Sequence, residues 1–353
     1  MLTEPRASVD RPESSAAWRL DLPRTEWHRP LTVLAIALSA LSVVALVGYL
    51  VDPRELVGRP LWEKPLKFAV SGALYAVTWA WIIGHFSRWR RVAWWAGTVI
   101  TVTLAVELVI IVGFAAAGMR SHFMVDTPLA TTAWAIMAAA ITTLWVATFV
   151  AGLALWRNPG GDPARRTAIR AAVALSLLGM ALGFLMTGPT AAQLDDFQGV
   201  AGAHTVGLAD GGPGLPLLGW STVAGDLRIP HFIGMHALQA ILLLALALEL
   251  AARRVPALAD AETRRRLVIV GSSAFLAVIA IVTQQALRGQ SIVAPDGLTL
   301  SLGIATAALA LASAIAVLVS RRVARAGASS GTGARGARVP RAGARARTGS
   351  GSR

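Results

Sequence analysis

Eight separate stretches of this chain run for about twenty residues or more with almost no charge, the length a helix needs to cross a hydrocarbon layer of about 30 Å. They fall at 31–51, 66–86, 92–117, 127–156, 168–186, 231–251, 267–287 and 298–320. Inside lipid, backbone N–H and C=O groups must be bonded within the segment, so such stretches fold as helices. The chain therefore reads as an all-α integral membrane protein, a polytopic bundle of about eight transmembrane helices with the lipid bilayer as its main partner. The fourth stretch is long enough to tilt or to extend past the bilayer. Composition agrees: 55% of the 353 residues are hydrophobic and only 15% are charged, more apolar side chain than a soluble core of this length would bury.

The charge pattern orients the bundle. A net charge of +14 would suggest nucleic acid as the partner of a soluble chain. Here the charge lies in short loops and in the tail, so no nucleic acid is expected. Of the 33 Lys and Arg residues, only Arg54, Arg59, Lys64, Lys67, Arg120, Arg228 and Arg288 fall on the side away from the two termini. Lys and Arg concentrate in cytoplasmic segments, which predicts that both termini are cytoplasmic, in an inner or plasma membrane. Residues 1–30 mix Arg with acids and lack an early apolar run, unlike a cleavable secretory signal. They are expected to form a cytoplasmic segment ahead of a transmembrane domain at 31–320. The Gly/Ala/Ser/Arg-rich stretch 321–353 is expected to be a disordered basic tail. With no cysteine, disulfides, thiolate ligands and cysteine nucleophiles are excluded.

Polar residues inside or beside the spans mark the candidate site. Glu107 lies near the middle of the third span, about 15 Å from either end, too deep for a lipid-facing carboxylate to reach water. It must face the bundle, as a neutral acid, a paired carboxylate, a ligand or a proton carrier. His122 occupies the short turn between spans 3 and 4. The sixth span opens on Pro230 and His231, with His236 about 8 Å deeper and Gln239 one turn beyond it. Five residues separate the two histidines, about 140° around a helix, which makes them poor joint ligands for one metal. Lys67, Arg120, Arg228 and Arg288, with Gln239 and Gln285, would make a shared cavity attractive to an anionic or lipidic small molecule arriving from the outer face. The Gly/Pro-rich connection 187–230 is expected to cover this cavity as an ordered outer lid. Trp62 and Trp220 are expected to be interfacial anchors, and His204 a surface residue of the lid.

Taken together, Glu63-Lys64-Pro65-Leu66-Lys67-Phe68, Arg120-Ser121-His122-Phe123 and the run from Gly225 to Gln239 (GDLRIPHFIGMHALQ) resemble the signatures of a family of uncharacterised bacterial multipass membrane proteins. The resemblance implies a bacterial inner membrane and brings no activity with it. Membrane desaturases fit less well, since there is no His-His pair. Membrane zinc hydrolases of the ceramidase type share the inventory of His122, His231, His236, Ser121 and Asp226 but use a His-x3-His pair that is missing here.

Three function classes stay open. In the first, an enzyme or metal-binding redox protein uses Glu107, His122, His231 and His236 for catalysis, the three histidines holding zinc, iron or a haem. In the second, Glu107 is the protonation site of a proton-coupled transporter of ions or small molecules. In the third, the polar residues only join helices in a structural or assembly protein.

Overall fold

Several helices begin at capping residues that the sequence supplies. Thr127 accepts the N–H of Ala130, Asp162 those of Ala164 and Arg165, and Asp260 that of Thr263, while Pro128 and Pro163 stand in first turns where a missing N–H costs nothing. His28 does the same unusually, its Nδ1 accepting from Leu31 N at 3.3 Å. In this computed structural model, which describes residues 26–157 and 161–333, the helices are α1 (Arg29–Val51), α2 (Glu63–Gly84), α3 (Arg90–Ala116), α4 (Pro128–Trp156), α5 (Pro163–Leu182), the short α6 (Ala191–Asp195), α7 (Arg228–Met235), α8 (Ala237–Ala251), α9 (Ala261–Leu287) and α10 (Gly297–Gly333). With α7 and α8 counted as one span, they supply eight segments long and apolar enough to cross a membrane. The chain is an all-α polytopic bundle.

Packing divides the bundle into α1–α4 and α5–α10, joined where α4 meets α5 and α2 meets α8. The core runs from Leu31 and Trp79 through Ile100 and Ala151 to Val173, Leu238 and Val268. α10 lies on α9, and its apolar stretch buries nothing else. Alternation puts the α1–α2, α3–α4, α5–α7 and α9–α10 connections on one face, called the cavity face below.

Three expectations are revised. The sixth span starts at Arg228 and is not one helix: α7 ends and α8 begins at His236, whose ψ of 0° interrupts the ladder. The cause lies two residues earlier, where Gly234 meets Gly179 of α5 backbone to backbone, so closely that a Cβ on either would overlap the other helix. Ser176 Oγ donates to the Met235 carbonyl at 3.0 Å, fixing the break against α5. The fifth span changes to a 3-10 turn at Gly183–Met186. The helical backbone of α10 continues past Arg321 to Gly333. Residues 334–353, like the segment 1–25, lie outside the described residues.

Candidate functional site

The α5–α7 connection is an ordered structure built on the backbone of the α3–α4 turn. Ala201 N donates to Phe123 O, Val125 N to Gly199 O, and Ala203 N to Met186 O, at 2.8, 2.9 and 3.1 Å. Gly202 makes the close passage possible: its φ is +123°, and a Cβ there would strike Met186 O and the Phe123 ring. Further along, β1 (Thr205–Val206) pairs antiparallel with β2 (Gly225–Asp226). Asp226 is fully buried; it accepts Ser221 N at 2.8 Å and Arg228 N at 3.0 Å and holds the Arg228 guanidinium at 2.5 Å. Arg228 also donates to Gly219 O, and Lys67 to Leu218 O, so charges that looked like ligand-binding groups in the sequence partly serve to fasten the connection.

Beneath it lies a cavity of about 610 Å³ between α2, α3, α4, α5 and α7, in the range of small-molecule sites. Its deep walls are apolar, with Phe68, Leu104, Met137, Leu144, Trp145 and Met180. Its polar end carries a row of four polar groups. Lys64 Nζ donates to Ser121 Oγ at 3.0 Å, Ser121 Oγ lies 3.1 Å from His122 Nδ1, and His122 Nε2 faces Glu107 Oε1 at 3.7 Å. With the serine hydroxyl donating to Nδ1, the His122 proton sits on Nε2 and points at Glu107. Glu107 is buried, and its Oε2 has no hydrogen-bond partner. Burial, with the Lys64 charge beside it, pushes the His122 imidazole well below its ordinary value, so it is neutral at neutral pH.

A second imidazole, placed at the surface by the sequence reading, belongs to the same cavity. His204 lines it, packs tilted against Phe123 with centroids 4.8 Å apart, and is bound through Nδ1 to Asp210 Oδ2 at 2.6 Å. Asp210 also accepts from the backbone N–H groups of His204 and Thr205 and from the Thr205 hydroxyl. Burial acts against the charge of Asp210, but these donors, His204 first, hold its carboxyl well below the usual range. Burial lowers His204 as well, against the raising effect of its Asp210 bond. Phe123 stands between the two imidazoles with φ +67°, a left-handed backbone uncommon for a bulky residue. A histidine six residues before an aspartate in a Gly-rich stretch is too weak a pattern to have been read beforehand.

The sequence-predicted residues separate. Glu107, His122, His231, Lys67, Arg120 and Arg228 line the cavity, and Arg120 forms no hydrogen bond or ion pair with a described residue. His231 turns its Nδ1 to the Gly179 carbonyl at 2.9 Å. His236 lies off the cavity wall, bonded to Ser71 Oγ and Gln239 Oε1 at 3.2 Å each, and Gln239 reaches on to Thr78. Gln285 is buried on Ser291 O at 2.9 Å, and Arg288 pairs with Asp296, both outside the cavity. His122, His231 and His236 thus have different hydrogen-bond partners, and only the first two line the cavity. Among the described residues no three His, Asp or Glu side chains gather as a metal-binding group. Trp220 lines the cavity against Phe232 rather than anchoring at an interface, while Trp62 donates to Asp52 at 2.8 Å.

Fold and cavity together define a multi-pass α-helical membrane protein with an internal amphipathic chamber beneath one face. No protein-family model, no curated protein and no solved structure matches the chain.

Proposed function

We propose that this chain is a membrane-embedded acid–base enzyme whose anionic substrate occupies the cavity, with the cavity face on the outer side of a bacterial plasma membrane and both termini in the cytoplasm. The orientation rests on the Lys and Arg distribution. One observation carries the chemistry: Lys64, Ser121 and His122 are linked by hydrogen bonds, and His122 Nε2 faces the buried Glu107 carboxyl across 3.7 Å, on the wall of a ligand-sized chamber. Arg120, with no hydrogen-bond or ion-pair partner among the described residues, and Lys64 are the seat for the anion. His122, neutral and backed by Glu107, moves a proton at Nε2. His204, whose Nδ1 is occupied by Asp210, offers Nε2 as a second base from the opposite side of Phe123.

The reading favours an enzyme over a carrier because the charged groups that line the cavity gather at one end of it. The other half of the bundle is closed by Trp79, Ile82, Ile83, Ile100 and Ala151, all buried. A carrier reading retains one specific support, the partnerless Glu107 Oε2 at mid-helix.

The test is untargeted mass spectrometry of a bacterial lipid and metabolite extract incubated with purified protein, beside Glu107→Gln and His122→Gln. The expected result is an anionic compound consumed by the wild type, and bound but unconsumed by both variants. Turnover that survives in both would sink the acid–base assignment. No consumption at all, with proton uptake into proteoliposomes that Glu107→Gln abolishes, would transfer the site to the carrier reading.

A further inference from the structure

The apolar end of the cavity has a feature that the polar end does not explain. α4 and α5 are closed against each other at Trp145, whose Nε1 donates to Leu177 O at 3.0 Å. Farther from the cavity face the two helices stay in contact, with Val173 pressed on Gly152 so tightly that a Cβ on the glycine would fall 2.8 Å from it. On the other side of Trp145 the relation changes. Met137, Ala138 and Ile141 of α4, and Met180, Gly183 and Phe184 from the α5 side, all line the cavity.

Ile141 and Phe184 are also 38% and 42% exposed. Ile141 stands about 20 Å along α4 at 1.5 Å per residue. That is close to the middle of a helix of 29 residues, at the level of the hydrocarbon rather than of the headgroups. The gap lies between α4 and the end of α5 with its 3-10 turn, elements that bond their backbone internally, so it can face lipid without the cost that an open loop would carry there.

We propose that the ligand is a bilayer-dissolved amphiphile with an acyl chain and an anionic head, and that it enters sideways between α4 and α5. The inference rests on the anion-binding reading of the cavity and adds the substrate class and the route. The chain lies against Trp145 and Met137, and the head reaches Arg120 and Lys64 at the polar end, beside the His122–Glu107 pair. Charge complementarity selects the occupant: the apolar walls take an acyl chain, and the cationic end takes a carboxylate or phosphate in preference to a neutral or zwitterionic head.

The probe is a stearate analogue with a mid-chain diazirine, irradiated in phosphatidylcholine vesicles holding the full-length protein, with adducts mapped by mass spectrometry. The expected result is labelling of Met137 and Met180 that excess stearate removes. Ile141→Trp, and Ala138→Trp as a second block, should lose these labels and keep those on the outward-facing Val146 and Val150. Cavity labels that persist in both blocked variants, or wild type labelled only at outward residues, would overturn the route. Butyl phosphate needs no lateral entry, and its binding is followed by tryptophan fluorescence. Its retention by Ile141→Trp shows that the variant is folded and that the loss of label is a loss of access. Its failure to bind the wild type would remove the anion site, and the proposal with it.

Discussion

The two halves of this bundle solve the same problem by opposite means. Away from the cavity face, helices come together through small residues: Gly97 lies under Ile83 and His28, Gly152 under Val173, and Ala76, Ala80, Ala93, Ala151, Ala168 and Ala172 are fully buried. Toward the cavity face the helices stand apart, and the space is held open by charged and polar side chains with fixed partners. In a membrane, lipid solvates apolar side chains as well as a neighbouring helix does, so close packing and interhelical hydrogen bonds have to supply the association. One half relies on the first of these and is solid. The other relies on the second and contains a chamber.

The largest expected effect comes from the place where the two means meet, the backbone contact of Gly179 with Gly234. Gly179→Ala sets a methyl group into the Gly234 backbone, which has no flexible side chain to move aside. A loss of ~3 kcal/mol, at the upper end of overpacking, is expected as a collapse of the detergent melting temperature and of monodisperse yield. Gly113→Ala on α3 is the matched control, with nothing within 4 Å of the added methyl. It should leave stability unchanged or raise it by up to ~1 kcal/mol through helix propensity. If both variants behave alike, the close backbone contact is not what holds α7 on α5.

Next is a comparison between two Arg–Asp clasps. Arg228 with Asp226 fastens the long connection, and Arg264 with Asp162, at 2.6 Å, fastens the opposite face, where Arg264 also donates to the carbonyls of Leu258 and Ala259. Breaking a buried pair costs about 3–5 kcal/mol, and less where one partner keeps contact with water. In each pair one partner keeps about a quarter of its side chain exposed, Arg228 at 27% beside the fully buried Asp226 and Asp162 at 26% beside Arg264 at 5%. Arg264→Ala, which also takes the donor away from the Leu258 and Ala259 carbonyls, should lower the melting temperature more. Asp226→Asn should act locally, opening the segment between Met186 and Arg228 to limited proteolysis while the bundle still melts cooperatively. Proteolysis of that segment in Arg264→Ala but not in Asp226→Asn would reverse the assignment.

A smaller effect separates the halves by pH. His122 and His204 are both held below the ordinary histidine value of 6.5 by burial. Below about that pH the unfolded chain takes up protons that the folded chain refuses, so stability is full above it and is lost as pH falls toward the folded-state values. The groups facing His122 are Lys64 from α2, Glu107 from α3, its neighbour Ser121, and His204 from the connection. Melting temperature should fall between pH 7 and pH 5, and His122→Gln should flatten that slope. A wild-type slope of zero would mean that the imidazoles are not buried as neutral groups.

The solid half was legible in the sequence because it is a matter of length and hydropathy: a span must cover the bilayer and nothing else needs to be known. The chamber was legible only in its parts. Glu107 could be read from its depth and His122 from its place in an outer turn, since position along a helix fixes height. Which side chains touch depends on rotation about the helix axes and on the path of the α5–α7 connection, and neither leaves a periodic trace. His204 was missed for that reason, because a Gly-rich segment carries no pattern that says which of its residues turns inward. Gln285 and Arg288 were misjudged in the opposite direction. They stand at a suitable height, but Gln285 is bonded to Ser291 O and Arg288 to Asp296, outside the chamber.

The finest test of the comparison lies at the floor of the chamber, where Tyr75 of α2 and Thr148 of α4 are 2.5 Å apart across the bundle and both are buried. Thr148 also donates to Leu144 O within its own helix at 2.8 Å, so its proton is committed there and Tyr75 is the donor across the gap. Tyr75→Phe removes this one interhelical bond and little volume. Thr148 keeps its intrahelical bond and loses only an incoming donor, so no new unsatisfied proton is left behind. Interhelical hydrogen bonds in membranes average about 0.6 kcal/mol, and a melting shift near the limit of detection is expected. A large loss would mean that the chamber floor, and not the apolar core below it, carries the association of α2 with α4.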